Sequence, residues 1–457
     1  MGTSDKVRCL FGTDGVRDVA NRGIMTPEMA MRLGRAFVLF LTERGIPCPR
    51  IAVGRDTRRS GLMLESALTA GMMSVGAQAH LLGVFPTPGV SFAVIEGSFD
   101  AGAIISASHN PAEYNGIKFL DGKGFKLRDD DEAEIEEYLE EELLDEWRPT
   151  GASIGESCDA RYFKESYVNW LRKQLSEIGR TDWPLVVDAA NGAASGFAQG
   201  VFSAWGGPVA YCGVEPDGLN INEGVGVMHM GHLARETLKQ RASFGIAYDG
   251  DMDRVLLCDG KGRVIDGDIM LWIIGRYLAG EGALGSGVVA TVMSNMALEE
   301  KLAEEDIRVF RCPVGDRYVL EKMQERDARL GGEQSGHIIA TDYMSTGDGL
   351  CTGLLFLKAC RSLGEDISTI VDRFPRYPQI LRNLKVRDRD LVLRSPALAE
   401  ATTRAEERLA GAGRLLLRPS GTEPLIRILV EAKDDNLMRE VCGELEGVVG
   451  EISGDSA

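Results

Sequence analysis

Arg50-Ile51-Ala52-Val53-Gly54 is a short apolar run rich in β-branched residues, preceded by a helix signal and closed by a small residue. The helix signal is Thr26-Pro27-Glu28, a capping hydroxyl with Pro at the first helical position, and Gly45 supplies the stop. The same grammar returns at Leu185-Val186-Val187-Asp188 before Asn191-Gly192, and at Gly287-Val288-Val289-Ala290-Thr291-Val292 before Ser294-Asn295. Strands alternating with helical-period segments predict an α/β protein with mostly parallel sheets, built from three related units. The full length of 457 residues is about three domains' worth.

Two boundaries are visible. The acidic stretch Asp129 to Trp147 reads as a helix with a solvated face and is followed by the linker-like Pro149-Thr150-Gly151-Ala152-Ser153, with a new helical start near Ala160. Phe374-Pro375-Arg376-Tyr377-Pro378 reads as a second hinge.

Composition narrows the function. Hydrophobic residues at 44% and charged residues at 26% exclude disordered, fibrous and membrane-embedded classes. No apolar stretch approaches the roughly 20 residues that span a bilayer, and no membrane partner is expected. The nine cysteines are scattered, odd in number and without a C-x-x-C pair, which points to free thiols in a reducing, cytoplasmic setting and to neither zinc nor disulfides. A net charge of -18 repels nucleic acid. An anionic substrate then requires Arg17, Arg55, Arg58, Lys118, Arg254, Arg317 and Arg418 to converge on one cleft.

Several signals fail in context. Gly280-Glu281-Gly282-Ala283-Leu284-Gly285 matches a dinucleotide fingerprint but follows a helix and precedes a strand, the wrong order for one. His229 and His232 have no Cys or third His near them in sequence and read as loop or helix surface.

Four segments carry chemistry. Ala103-Ile104-Ile105-Ser106-Ala107-Ser108-His109-Asn110-Pro111 runs from an apolar strand into a sharp turn and presents a hydroxyl at the strand end, beside His109. Asn115-Gly116-Ile117-Lys118 follows with a cation suited to proton transfer or phosphate binding. Tyr248-Asp249-Gly250-Asp251-Met252-Asp253-Arg254 sets three carboxylates at alternate positions, a ligand density that suits a hard divalent cation. It is no EF-hand, since Arg254 and Gly260 occupy the places of that loop's Gly and Glu. Gly331-Gly332-Glu333-Gln334-Ser335-Gly336-His337 is rich in groups that bond sugar hydroxyls, and Arg418-Pro419-Ser420-Gly421-Thr422-Glu423-Pro424 has the parts of an anion cradle.

In this order the four segments resemble the α-D-phosphohexomutase family over nearly the whole chain. Phe11-Gly12-Thr13-Asp14-Gly15-Val16-Arg17, Gly315-Asp316-Arg317-Tyr318 and Pro216-Asp217-Gly218-Leu219-Asn220-Ile221-Asn222 look like the bacterial members that act on hexosamine phosphates. Three places depart from them: Asp18 after Arg17, Met252 where the metal loop commonly has Gly, and Gly224 to Met230.

The resemblance implies four domains around a central cleft, three related α/β units and a smaller α+β domain, divided as 1–155, 156–260, 261–374 and 375–457. It implies Mg²⁺ held by a phosphorylated Ser108 with Asp249, Asp251 and Asp253. Catalysis falls to Ser108, His109, Lys118, Arg17 and His337. Substrate binding falls to Glu333, Ser335, Arg254, Arg317, Arg418, Ser420, Gly421, Thr422 and Arg427. The reaction implied converts a hexosamine 6-phosphate to its 1-phosphate through a hexosamine 1,6-bisphosphate, which also activates the enzyme, and a homodimer is the assembly the resemblance suggests. Mannose or glucose phosphates are the alternative substrates, and a Mg²⁺-dependent sugar phosphatase is the alternative reaction.

Overall fold

The computed structural model describes residues 10–12, 14–139, 148–179, 181–419 and 425–454. They pack as two compact units, Met1–Thr291 with Val309–Val371, and Val292–Arg308 with Asp372–Ala457.

The first unit carries three sheets. In the first, β1 (Val16–Val19), β2 (Arg50–Arg55), β3 (Gln78–Val84), β4 (Ala101–Ile105), β5 (Tyr114–Asp121) and β6 (Ser157–Asp159) lie in the order β1-β5-β4-β2-β3-β6. The second orders β7 (Leu185–Asp188), β8 (Val209–Cys212), β9 (Phe244–Tyr248), β10 (Val255–Asp259) and β11 (Val264–Ile265) as β11-β10-β9-β7-β8. The third orders β12 (Val288–Thr291), β13 (Val309–Cys312), β14 (Leu330–Gly332) and β15 (Ile338–Ala340) as β13-β12-β14-β15.

One motif underlies all three. A parallel trio with its first strand in the middle (β3-β2-β4, β8-β7-β9, β13-β12-β14) is extended by a fourth strand, antiparallel to the third (β5, β10, β15). The three α/β units expected from the strand grammar are therefore present. Strands β4, β7, β9 and β12 are buried at every position, as parallel strands covered on both faces must be, which explains why they read as unbroken apolar runs.

Local signals behave as their chemistry dictates. Thr26 Oγ1 accepts from Met29 N–H at 3.3 Å and caps the helix Pro27–Glu43, which stops just before Gly45. That helix lies against Arg59–Ser74 at the closest possible range. A Cβ on Gly34 would sit 2.3 Å from Leu68 O, and one on Gly71 2.1 Å from Met31 O, so only glycine fits at either point. Phe37 from the first helix stacks on Phe119 of β5, ring centroids 4.0 Å apart, and fixes the helix on its sheet. The acidic stretch is a helix over Asp129–Glu137, and residues 140–147 of the expected helix lie outside the described residues.

The second unit is simpler. β16 (Gln379–Lys385), β17 (Gly413–Pro419) and β18 (Leu425–Ala432) form an antiparallel sheet in the order β16-β18-β17. Helices Pro396–Leu409 and Asp435–Ser453 pack on it around Ile426, Ile428, Val430, Val441 and Leu445. The segment Val292–Arg308 joins this unit through Asn295, whose side chain donates to Tyr377 O at 2.9 Å, and Met296, whose N–H donates to Glu431 Oε1 at 2.8 Å. No helix among the described residues is long and apolar enough to cross a membrane.

Candidate active site

The three polar loops of the first unit occupy one structural position. Ser108 lies between β4 and β5, the acidic triplet between β9 and β10, and Glu333 to His337 between β14 and β15, each at the turn from the third strand of a motif to its antiparallel fourth.

Ser108 is buried and adopts φ +49°, a left-handed conformation that costs a non-glycine residue roughly 1–2 kcal/mol. A clamp from three segments holds it there. Ser108 N–H donates to Ser106 Oγ at 2.9 Å, and Ser106 Oγ donates to Asp56 Oδ2 at 2.6 Å. Arg58, ion-paired with Asp56, donates to Ser108 O at 3.1 Å, and Asn222 Nδ2 donates to the same carbonyl at 2.9 Å and to Asn110 O at 3.0 Å. With the backbone fixed, Ser108 Oγ donates to Asp249 Oδ2 at 2.5 Å and lies 3.4 Å from His109 Nδ1. Burial, followed by Arg254 and Arg17, pushes His109 down to about 4, so its imidazole is neutral at pH 7.

Asp249, Asp251 and Asp253 are buried, and an oxygen of each lies within 4.8 Å of the others. Burial and then the charges of Asp253 and Asp251 push Asp249 well above the usual carboxylate range. Burial acts on Asp253 in the same sense, but His337, Lys118 and Lys126 outweigh it and hold that carboxyl well below. The Oδ1 atoms of Asp251 and Asp253 are buried without a hydrogen-bond partner. An all-oxygen set with mutual repulsion and orphaned lone pairs fits a hard divalent cation such as Mg²⁺. Met252 takes φ +62° inside the loop and is fully buried, and the alternation of the three carboxylates survives it.

Cations ring this centre. Lys118 Nζ donates to Asp251 Oδ2 at 3.1 Å and lies 3.2 Å from Asp14 Oδ2, and Arg17 also pairs with Asp14. Arg254 N–H donates to Asp249 Oδ1 at 3.1 Å while its guanidinium flanks Asp253 at 3.9 Å. His337 sets Nδ1 3.6 Å from Asp253 and Nε2 3.5 Å from Asp316. Burial lowers its pKa, yet the two carboxylates prevail and the net direction is upward. Glu333 accepts from Gly315 N–H at 3.0 Å and from Ser335 Oγ at 3.0 Å, which joins the third loop to the Gly315-Asp316 turn. A cavity of about 110 Å³ opens between the loops, lined by Asp14, Lys126, Asp253, Arg254, Glu333 and His337 among others.

Ser108, His109, Lys118, Arg17, Arg58, Arg254, Glu333, Ser335, His337 and the Asp triplet thus come together within the first unit. Arg55 instead pairs with Glu65 at 3.1 Å, and Arg317 is buried against Asp129 and Glu132, the latter at 2.8 Å. In the second unit Arg418 on β17 stands directly opposite Arg427 on β18. Ser420, Gly421 and Thr422 lie outside the described residues.

Other contributors were not found by reading the chain. Thr87 Oγ1 donates to Asp251 Oδ2 at 2.6 Å from the first turn of the helix Thr87–Glu96; unlike Thr26 it is the first helical residue and makes no capping bond, with Pro86 at the cap position. Lys126 bridges Asp14, at 2.6 Å, and Asp316, and so links the segment before β1 to the Gly315-Asp316 turn, with no sequence signal to mark it.

Comparison with known proteins places the chain. The family models of phosphoglucomutase/phosphomannomutase match at alpha/beta/alpha domain I over residues 8–146, at domain III over 266–377 and at the C-terminal domain over 381–448. The chain is 45% identical over 447 residues to the phosphoglucosamine mutase of Carboxydothermus hydrogenoformans, covering 97% of this chain and 99% of that protein. It is 44% identical to the phosphoglucosamine mutase of Shouchella clausii, covering 97% and 99%. The chain belongs to the phosphoglucomutase/phosphomannomutase family. As a phosphohexomutase it is an isomerase that moves a phosphoryl group within a hexose phosphate. The same fold is seen in a phosphoglucomutase/phosphomannomutase family protein from Burkholderia thailandensis, with a TM-score of 0.79 at 22% identity over 98% of both chains. It recurs in an N-acetylphosphoglucosamine mutase from Aspergillus fumigatus solved with GlcNAc-6P and magnesium, with a TM-score of 0.69 at 16% identity over 98% and 97%.

Proposed function

We propose that this phosphohexomutase interconverts glucosamine 6-phosphate and glucosamine 1-phosphate, with Ser108 as the phosphoryl carrier. The observation that carries the reading is the meeting of three equivalent strand-end loops, which sets Ser108 Oγ 2.5 Å from a buried acidic triplet ringed by Lys118, Arg17, Arg254 and His337. The full-length likeness to phosphoglucosamine mutases supports the amino sugar as substrate. The four sheets support a division into four domains, with the first reaching past residue 155 to take in β6, which pairs with β3, and the second past residue 260 to take in β11, which pairs with β10.

Phosphoryl transfer is chiefly positioning and neutralisation of charge on the moving group. Mg²⁺ held by Ser108, Asp249, Asp251 and Asp253 supplies part of that neutralisation when bound. Lys118, Arg17 and Arg254 supply the rest from the protein. Arg418, Arg427 and the Ser420-Gly421-Thr422 loop hold the phosphate the substrate already bears, and Glu333 and Ser335 hold sugar hydroxyls. The free hydroxyl oxygen bonds to phosphorus as the bond from phosphorus to Ser108 Oγ breaks, and the hydroxyl proton passes to a neighbouring base. Lys118 and His337 are the candidates for that proton. The resulting 1,6-bisphosphate turns round, and Ser108 Oγ takes back the other phosphoryl group.

Comparing glucosamine, glucose and mannose phosphates as substrates tests the reading. The expected result is the highest kcat/KM for glucosamine phosphates with negligible release of inorganic phosphate. Faster turnover of the mannose or glucose phosphates overturns the substrate, and stoichiometric phosphate release overturns the reaction.

A further inference from the structure

Three side chains outside the transfer centre meet at the C-terminal edge of the second sheet. Asp188 ends β7, Cys212 ends β8, and His232 lies in the first turn of the helix Met230–Lys239. One donor atom from each falls within 4.8 Å of the other two. Asp188 is fully buried, while Cys212 and His232 are half-buried, which leaves the cluster reachable from solvent.

The polar atoms are only partly used. Asp188 Oδ1 accepts from Ala190 N–H and Oδ2 from Gly226 N–H, each at 2.9 Å, so each oxygen keeps a lone pair. His232 Nδ1 is a buried nitrogen without a hydrogen-bond partner, and it faces Asp188 Oδ2 at 3.5 Å. Two ligands about 2.1 Å from one tetrahedral zinc ion stand about 3.4 Å apart. Cys212 Sγ makes a long contact of 3.7 Å to Val187 O and lies close enough to Asp188 to hydrogen-bond to its carboxylate.

We propose that Asp188, Cys212 and His232 form a Zn²⁺ site, distinct from the all-oxygen acidic loop, with water completing the tetrahedron. The donor chemistry separates the two places. A thiolate with an imidazole and one carboxylate suits Zn²⁺ and is a poor match for Mg²⁺, which the oxygen-only loop suits. Burial and the nearby Asp188 charge push the Cys212 thiol up in the metal-free protein, and a coordinated divalent cation reverses that preference by holding the thiolate. Spacing along the chain hid the site, because His229 and His232 have no cysteine near them in sequence and Cys212 arrives from a different strand.

Its position gives it a role. The turn after Asp188 takes left-handed backbone at Ala190 and Asn191, φ +55° and +50°. Ala190 O accepts from Asn222 N–H at 2.8 Å, and Asn222 in turn holds the carbonyl of Ser108. Ala193 N–H donates to Gly250 O at 2.8 Å, inside the acidic loop. An ion tying β7, β8 and the helix together braces the platform under both the serine turn and the acidic loop, from outside the chemistry. The site stands independently of which hexose phosphate is the substrate.

Co²⁺ titration of the full-length, metal-stripped enzyme, in Mg²⁺ excess to fill the acidic loop, tests the proposal. One equivalent should give tetrahedral visible bands with a near-ultraviolet thiolate-to-cobalt charge-transfer band. Both should vanish in Cys212→Ser and in His232→Gln, each of which keeps its Mg²⁺-dependent turnover. Zn²⁺ should displace the cobalt and raise the melting temperature of the parent protein but of neither variant. Absence of the charge-transfer band, its survival in Cys212→Ser, or an equal Zn²⁺ stabilisation of the variants overturns the site.

Discussion

The acidic centre of the first unit and the arginine pair of the second solve opposite problems. Around Ser108 the cations already have carboxylate partners: Lys118 has Asp251, Lys126 has Asp14 and Asp316, Arg58 has Asp56, and His337 has Asp253. On the sheet of the second unit, Arg418 and Arg427 face each other across neighbouring antiparallel strands, an arrangement that repels. Burial and then Arg427 lower the pKa of Arg418, and Arg427 Nε is buried without a hydrogen-bond partner. The first region is complete before substrate arrives, and the second becomes favourable only when an anion joins it. In the proposed reading the first is a transfer centre, which must not reorganise during reaction, and the second a phosphate grip, which must release as readily as it binds.

The sharpest way to break this contrast is to remove the carrier. Ser108→Ala should leave no turnover in either direction, even with added hexose 1,6-bisphosphate, and mass analysis should find no phosphopeptide there. A near-normal rate would end the assignment. Asp251→Asn should follow, with a loss on the order of 10²-fold or more in kcat. Chelation should reproduce that loss in the parent enzyme, with Mg²⁺ restoring the parent fully and the variant only in part.

Arg418→Ala should behave differently in kind. Loss of one charge-assisted contact predicts a decrease of about 10- to 100-fold in kcat/KM, carried mainly by KM. Phosphorylation of Ser108 by hexose 1,6-bisphosphate should still be detectable by intact mass. If the variant cannot be phosphorylated at all, the two regions are not separable in the way described. Asn222→Ala should be milder, a several-fold fall in kcat with KM little changed, because it loosens the backbone clamp without touching substrate.

The smallest effect concerns a buried carboxyl behind the acidic loop, whose neighbour Gly349 donates its N–H to Met252 O at 2.9 Å. Asp348 caps the helix Gly349–Ser362, accepts from Tyr167 Oη at 2.6 Å, and is pushed up to about 6 by burial. Its folded-state pKa exceeds its unfolded value, so the folded state binds the extra proton. The destabilisation is absent below about pH 4 and grows as pH rises through 6. Asp348→Asn should therefore flatten stability between about pH 4 and 6, measured as the difference in urea midpoint from the parent.

What could be read from the chain follows from how each part is encoded. The serine turn, the acidic loop and the Glu333 loop are contiguous polar runs bounded by apolar strands, so their residue types and spacing announce them. The repeated unit was legible for the same reason, since fully buried parallel strands have no polar alternation to disguise them. The clamp on Ser108 was not, because Asp56, Ser106 and Asn222 are unremarkable polar residues until three segments close on one carbonyl and one N–H. Arg55 and Arg317 illustrate the converse. A cation near a motif in sequence turns toward whichever carboxylate folding brings closest, here Glu65 in one case and Asp129 with Glu132 in the other.

The recurrence of one turn in three sheets also bears on redesign. The strands beneath each turn are common hardware, and the serine turn, the acidic loop and the Glu333 loop are inserts mounted on equivalent sockets. If Glu333 and Ser335 hold the sugar hydroxyls as proposed, sugar preference can then be re-engineered at those two positions, with His337, β14 and β15 left as they are. The other two sockets would keep the transfer chemistry in place while the third learns a different sugar.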